Sequence, residues 1–556
     1  MMQHDVAIGV CKGPGETPHE FLFVTTDPEL RVKTGEFVYY DALIDGAERH
    51  ILARVTTRQQ VRAYPDTLLA DPAIDPAEMA ALLGFDGEHG ELLQITAAVV
   101  GYYDRVLGFV NPRIPPRTGA PIRIAPDEML SQVLCKLEPE VVGAVHIGSL
   151  LNRPLGAVPA VLDARGFTST HLAIIASTGA GKSYLAGVML EELLRPHNRA
   201  AVLIIDPHAE YDTLAAMQGH PAFRAPGYEA RVSIKRPDSI RVRFSSLTLG
   251  DLRYLLSNLS ERMHYLLGRA YGAVQRKHGE RWTHQHLLVE VRQGLDGKPV
   301  TDPDETREED PTVGGLIWRI NNLRAQSRIF DDHESMALDD LLEPGKCTVL
   351  QLNEVSEREQ QIVVATLLRR INQARMDTVR GRANRGDELY LPYPVFVLIE
   401  EAHNFAPAGT EIVTTQILKQ ILAEGRKFGV SVGLISQRPG KLDSDVLSQC
   451  MTQCIMRIVN PVDQARVAES VESVGRDLLL ELPALSRGQV IVSGVSVNTP
   501  ILVRVRERLT PHGAEDPNAP EQWQHYFAEQ SAAQRARDQA IWQDPPPKRG
   551  DDLLFR

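Results

Sequence analysis

The stretch HLAIIASTGAGKSYLAGVMLEELL, beginning at His171, narrows what this chain can fold into more than any other. An apolar run reads as a strand, a glycine-bearing loop follows, and a helix starts directly after it. Gly179 and Gly181 let the backbone curl so that several N–H groups face one anion. The helix beginning there adds the positive end of its dipole. Lys182 is then placed to reach β- and γ-phosphates, and the Ser183 hydroxyl to bind Mg²⁺. Thr178, Gly179, Ala180, Gly181, Lys182, Ser183 and Tyr184 are therefore the candidate nucleotide-binding residues, with ATP and Mg²⁺ as the expected cofactors. The usual phosphate loop opens on Gly, and Ala176 stands at that position. One methyl at the loop's entrance is a small steric change beside an otherwise intact motif.

A second stretch, VFVLIEEAHNFAP from Val395, ends a buried-type strand on Glu400 and Glu401. Carboxylates at such a place are costly unless a positive partner meets them. A nucleotide carries Mg²⁺, which prefers carboxylate and water oxygens. Glu400 is the candidate for the metal's inner or outer shell. Glu401, one residue on, would orient or deprotonate the attacking water. The first acid of such a pair is usually Asp, and the longer Glu400 makes a water-mediated contact to the metal the natural expectation. The bland alternative for each glutamate is a salt-bridged strand end.

Around these motifs the chain divides into regions. Up to about residue 125, short runs such as EFLFVTTD and EFVYYDAL, separated by Gly, Pro and Asp, predict a small β-barrel or sandwich, with a short helix in DPAEMAALLGF. From about Val142 strands alternate with helices, which predicts an α/β domain on a parallel sheet. The boundaries expected are 1–140 for the barrel with its linker, 141–510 for the ATPase domain and 511–556 for a tail, partly helical or disordered. A helical insertion with a polar, acidic loop is expected at about 245–340. Five scattered cysteines are too few for a disulfide framework, and a cytoplasmic location is expected. Cys450 and Cys454, four residues apart, would share a face if helical, but nothing nearby completes a zinc site. No apolar stretch approaches the roughly 20 residues of a membrane span. The net charge of −12 argues against a surface coated for nucleic acid and leaves room for a local basic channel.

Taken together, TGAGKS, IIDPHAEYD from Ile204, LIEEAHNFAP, EGRKFGVSVGLISQRPGKLDSDVLSQC from Glu424 and RIVNPVDQ from Arg457 resemble the HerA family of hexameric double-stranded-DNA translocases, relatives of the FtsK pumps. The motifs occur in the family's order, and the resemblance spans residues 1 to about 510. It implies an α/β, RecA-like P-loop ATPase core behind an N-terminal barrel. It also implies an ATP-driven homohexameric translocase and helicase for double-stranded DNA. Family members work with NurA-type nucleases in double-strand-break end resection and repair, and the barrel would be the docking face for that nuclease or another effector enzyme.

The resemblance also implies roles for single residues. Gln437 would report on the γ-phosphate, and Arg426 would project into the neighbouring subunit, with Lys427 competing for that role. Arg457 and Arg438 are further candidates for nucleotide or interface contacts. Asp206, His208 and Glu210 follow the second strand of the sheet, and a loop beside the nucleotide is expected there in preference to a metal site. Arg165 and Lys441, on expected loops of the ring, are the candidate DNA contacts, with solvated surface charge as the plain alternative. The other readings are an ATPase ring scaffolding an effector in anti-phage defence, and an FtsK- or conjugation-type pump. A protein unfoldase ring has no motif in its favour.

Overall fold

The computed structural model describes residues 6–27, 29–61, 73, 75, 92–295, 310–471, 474–513 and 518–543. The expected helix in DPAEMAALLGF and the acidic loop of the insertion lie outside the described residues. The chain forms two compact units, 1–511 and 512–556. The second contains the helix Ala519–Gln543, exposed after Ala519 wherever its side chains are described.

The N-terminal strands are β1 (Gly9–Pro14), β2 (Glu20–Thr25), β3 (Phe37–Ile44), β4 (Ala47–Gln60), β5 (Leu93–Asp104), β6 (Gly108–Val110) and β7 (Pro121–Ile124). Six of them run in the order β2-β1-β7-β3-β4-β5, and antiparallel pairing of β2 with β5 closes the ring. The expected choice between barrel and sandwich thus resolves as a barrel. Alternation drives this: in β2, Phe21 and Phe23 turn inward onto Tyr40, Ile51 and Ile95 while their neighbours stay half-buried. The outer wall of the barrel is not free. Phe37, Tyr39, Leu52 and Val100 share one apolar core with Ile147 and Leu150 of the following domain. Two charged clasps add to that contact, Arg54 to Asp477 at 2.8 Å and Arg153 to Glu36 at 2.5 Å.

The large sheet is built from β8 (Ala144–Leu150), β9 (Pro159–Asp163), β10 (Leu172–Ile175), β11 (Ala201–Asp206), β12 (Arg231–Lys235), β13 (Lys346–Gln351), β14 (Val395–Ile399), β15 (Val430–Ser436), β16 (Thr452–Ile455), β17 (Gln489–Gly494) and β18 (Ile501–Val505). Its order is β12-β13-β11-β14-β15-β10-β16-β17-β18-β8-β9. From β12 to β16 every pairing is parallel. Beyond β16 every pairing is antiparallel. The expected parallel sheet is thus present from β12 to β16, and it continues into four antiparallel strands, β17, β18, β8 and β9, the last two being the first strands after Val142. The register aligns Ile175 with Ser436 and Ile455, and Ile205 with Ile399, so the carboxyl ends of β10, β11, β14, β15 and β16 finish along one rim. Ligands of parallel α/β sheets bind outside that rim.

Among the described residues, four helices of seven or more residues, Leu249–Leu255, Glu261–His278, His284–Arg292 and Pro311–Gln326, carry the insertion. Their starts are capped by Thr248, Ser260, Thr283 and Asp310, whose side chains accept backbone N–H bonds of the first turn. Fully buried Trp282 packs against Phe244 and Tyr271 in its core. Among the described residues the expected strand-free stretch contains one exception, Phe330–Asp331, which pairs with Val242–Arg243. Cys454 lies on β16 and Cys450 in the turn before it, so the two do not share a helix face.

Candidate active site

The loop between β10 and the helix Lys182–Leu193 has Gly179 at φ 77° and Gly181 at φ 105°, conformations that glycine adopts without strain. Two backbone bonds pin the loop to the sheet's far half: Ser177 N–H donates to Arg457 O at 2.9 Å, and Gly488 N–H to Ala180 O at 3.2 Å. Thr178 Oγ1 donates to Gln437 Oε1 at 2.7 Å, which brings the end of β15 onto the loop. Tyr184, two residues into the sequence after Gly181 and Lys182 have opened the helix, accepts the Arg508 N–H on its hydroxyl at 2.9 Å.

Lys182 lies among three glutamates. Its Nζ stands 3.2 Å from Glu400 Oε2, 3.2 Å from Glu401 Oε1 and 4.0 Å from Glu210 Oε2. Burial works against the ammonium's charge, but Glu400, Glu401 and Glu210 outweigh it and raise its pKa above the ordinary lysine value. Burial likewise pushes Glu400 up, opposed by Lys182 and by the Tyr211 hydroxyl, which donates to its Oε1. Ser183 Oγ donates to Glu210 Oε2 at 2.5 Å. Glu401 has φ 49° and ψ 47°, a left-handed conformation uncommon for a residue with a side chain. Its Oε2 is buried and, among the described residues, has no hydrogen-bond donor.

Asp206 plays a different part from its neighbours. It is fully buried at the end of β11 and accepts the backbone N–H groups of His208, Glu210 and Tyr211, each at 3.2 Å. It shapes the loop that delivers Glu210 and Tyr211. His208 is exposed, and among the described residues no group of three or more His, Cys, Asp or Glu forms a metal cage.

Mg²⁺ bound with a nucleotide needs no cage, because one or two carboxylates, phosphates and water complete its shell. The Ser183 hydroxyl with Glu210 and Glu400 offers a hard-oxygen set of that kind. The unmatched Glu401 Oε2 leaves a buried acceptor for a water.

The remaining candidates lie around this centre or at the other end of the sheet. Arg438 and Arg457 are exposed on the nucleotide rim, just beyond β15 and β16, and Lys441 is exposed in the turn Pro439–Lys441. Arg426 and Lys427 are exposed in the turn Gly425–Phe428, before β15 begins. Arg165 belongs to the short helix Ala164–Thr170, not to a loop, and that helix leads into the start of β10. These three basic residues thus stand at the sheet end opposite Lys182. The sequence alone assigns no role to Tyr211 and His403, which border the glutamates, or to Ser436, which borders His403. Tyr211 and His403 both fall inside the quoted motifs, and their signal was position one and two residues beyond an assigned acid.

The family description "Helicase HerA, central domain" matches residues 145–371. The DNA double-strand break repair helicase HerA of Pyrococcus furiosus is 28% identical over 90% of this chain and 92% of its own length. A probable helicase of Methanocaldococcus jannaschii is 30% identical, with 75% of this chain and 76% of that protein covered. Among solved structures, VirB4 of Thermoanaerobacter pseudethanolicus is similar at a TM-score of 0.46 and 13% identity, covering 67% of this chain and 98% of VirB4.

Proposed function

The chain belongs to the HerA helicase family, and we propose that it is an ATP-driven motor that translocates double-stranded DNA through a homohexameric ring. The observation that carries this reading is the placement of Lys182 within 4.0 Å of Glu210, Glu400 and Glu401 at the carboxyl rim of adjacent parallel strands. The glutamates are what the ammonium pairs with, and a bound triphosphate would replace them.

The N–H groups of residues 178–184 would wrap the phosphates, and Lys182 would swing from the glutamates to the β- and γ-oxygens. Ser183, Glu210 and Glu400 would hold Mg²⁺, which when bound neutralises charge on the phosphate oxygens. Glu401 acts as the general base. It takes a proton from water as the water oxygen bonds to the γ-phosphorus and the bond to the β–γ bridging oxygen breaks, releasing ADP and phosphate. Gln437, bonded to Thr178, would register loss of the γ-phosphate.

Arg426 is separated from its own Lys182 by the whole of β15, about 23 Å at some 3.3 Å per residue. A guanidinium there serves a nucleotide on an adjacent subunit. Lys441 and Arg165, at opposite ends of the sheet, would give a ring two tiers of positive charge facing the DNA backbone. That arrangement binds phosphates without reading sequence, and salt weakens it. A NurA-type nuclease or other effector would dock on the barrel, and the work would serve double-strand-break end resection. Among the described residues no helix is long and apolar enough to cross a membrane.

The test is steady-state ATP hydrolysis by the full chain with and without linear duplex. Duplex should raise the rate, with stimulation falling steeply from 50 to 200 mM salt as about 10³-fold or more of affinity is lost. Glu401→Gln should bind ATP and turn it over about 10²-fold or more slowly. Hydrolysis indifferent to duplex, or undiminished in Glu401→Gln, would overturn the reading.

A further inference from the structure

Three observations converge on one imidazole. Glu401 is held in its left-handed conformation with Oε1 toward Lys182 and Oε2 buried without a donor. His403 Nδ1 lies 3.2 Å from that Oε2, close enough to pair but not aligned as a hydrogen bond, and its side chain is 12% exposed. The same nitrogen lies 3.3 Å from Ser436 Oγ, on the last residue of β15, and Ser436 Oγ also accepts the Arg438 N–H at 3.1 Å. The ring therefore bridges the ends of two adjacent strands, β14 and β15, whose next residues carry the glutamates and Gln437.

Burial lowers the pKa of His403, against the pull of Glu401 and with the help of Arg438, Lys441 and Lys182. A neutral imidazole has a single proton to give. The surroundings leave Nδ1 two partners, a carboxylate and a hydroxyl, and the carboxylate is the stronger acceptor. Once ATP draws Lys182 to its phosphates, Glu401 Oε1 loses its ammonium. Among the described residues, His403 is then the charged or polar side chain left within 4 Å of this carboxylate in an ion-pair contact.

We propose that His403 is a positioning residue for ATP hydrolysis: with ATP bound, its Nδ1–H turns from Ser436 Oγ to Glu401 Oε2 and aims that carboxylate at the attacking water. The inference rests on Glu401 being the general base. It needs no ionised histidine and no contact between His403 and nucleotide.

The experiment compares His403→Ala, His403→Gln and His403→Asn in the full chain, measuring kcat and KM for ATP with duplex DNA present and nucleotide affinity with a fluorescent ATP analogue. Asn places its amide nitrogen close to where Nδ1 stands, whereas Gln carries its amide one bond farther out. His403→Ala and His403→Gln should lose about tenfold to a hundredfold in kcat, with KM and nucleotide affinity within twofold of wild type. His403→Asn should recover most of the loss. Wild-type kcat in His403→Ala, an Asn variant as slow as Ala, or loss of nucleotide binding in step with rate would each overturn the proposal. Glu401→Gln is measured alongside. If it hydrolyses at the wild-type rate, the reading of Glu401 itself has failed. If it is inactive while His403→Ala is normal, only the positioning role falls.

Discussion

Replacing Lys182 by Met keeps most of the side chain's length and removes its charge from a site where two carboxylates are almost wholly buried. Glu400 and Glu401 are 2% and 3% exposed at their side chains and each stands 3.2 Å from the ammonium. At that distance, with an effective dielectric constant near 20, each contact has a Coulomb energy of about 5 kcal/mol before desolvation. Removing one partner of a buried pair costs about 3–5 kcal/mol net, because the other charge stays buried and unmatched. The nucleotide-free variant should therefore melt below the wild type at pH 8, by roughly 3–5 °C.

The pH dependence has a definite sign. Burial already holds the Glu400 pKa above the usual carboxylate value, against Lys182, and loss of Lys182 raises it further. The penalty is complete above that raised folded value and fades as pH falls toward the ordinary carboxylate range, where protonation removes the unmatched charge. Differential scanning calorimetry of full-length wild type and Lys182→Met, without nucleotide, at pH 8 and pH 5.5 measures it. The gap in Tm should narrow in acid. Equal Tm values at pH 8, or a gap that widens in acid, would refute the reasoning that the glutamates confront this lysine.

Glu401→Ala and Arg426→Ala rings should each be nearly inactive alone, yet mixtures assembled before assay should hydrolyse ATP faster than either parent, since some interfaces regain both groups; no recovery at any ratio would count against Arg426 acting on a neighbour, and Lys427→Ala serves as the control. His171 is buried at the start of β10, where Nδ1 accepts the Val432 N–H at 3.1 Å and Nε2 faces Leu422 O at 3.1 Å. Burial lowers its pKa to about 4 from 6.5. Its contribution is thus whole above pH 6.5 and lost as pH falls toward 4, about 3 kcal/mol in all. Wild type should lose stability through that window more steeply than His171→Gln, and identical slopes by thermal melting would show that the ring does not titrate with unfolding.

The phosphate loop was legible in the sequence because its chemistry is local. Glycines two residues apart, a lysine and a serine between a strand and a helix encode both the geometry and the ligand. Glu400 and Glu401 were legible for a similar reason, as charges closing an apolar run. What the chain does not spell out is which strands become neighbours. Glu210 and Tyr211 meet Lys182 and Glu400 because β11 pairs with β14, almost two hundred residues later in the sequence. His403 meets Ser436 because β14 pairs with β15. The antiparallel edge at β8 and β9 had a signal that went unused. Residues 151–158 are the whole connection between them, and a parallel crossover needs a dozen or more residues. Arg165 was placed on a loop, but Asp163 accepts the Arg165 N–H as an N-cap and turns that segment into a short helix.

Displacement of a triplex-forming strand from linear duplex tests the central claim most directly, because a motor moving along the duplex strips the third strand without having to unwind the other two. The account predicts ATP-dependent displacement by the full chain, abolished in Lys182→Met and in Glu401→Gln, and suppressed by salt together with DNA-stimulated hydrolysis. Hydrolysis stimulated by duplex with no displacement, at any ATP concentration that supports turnover, would contradict it.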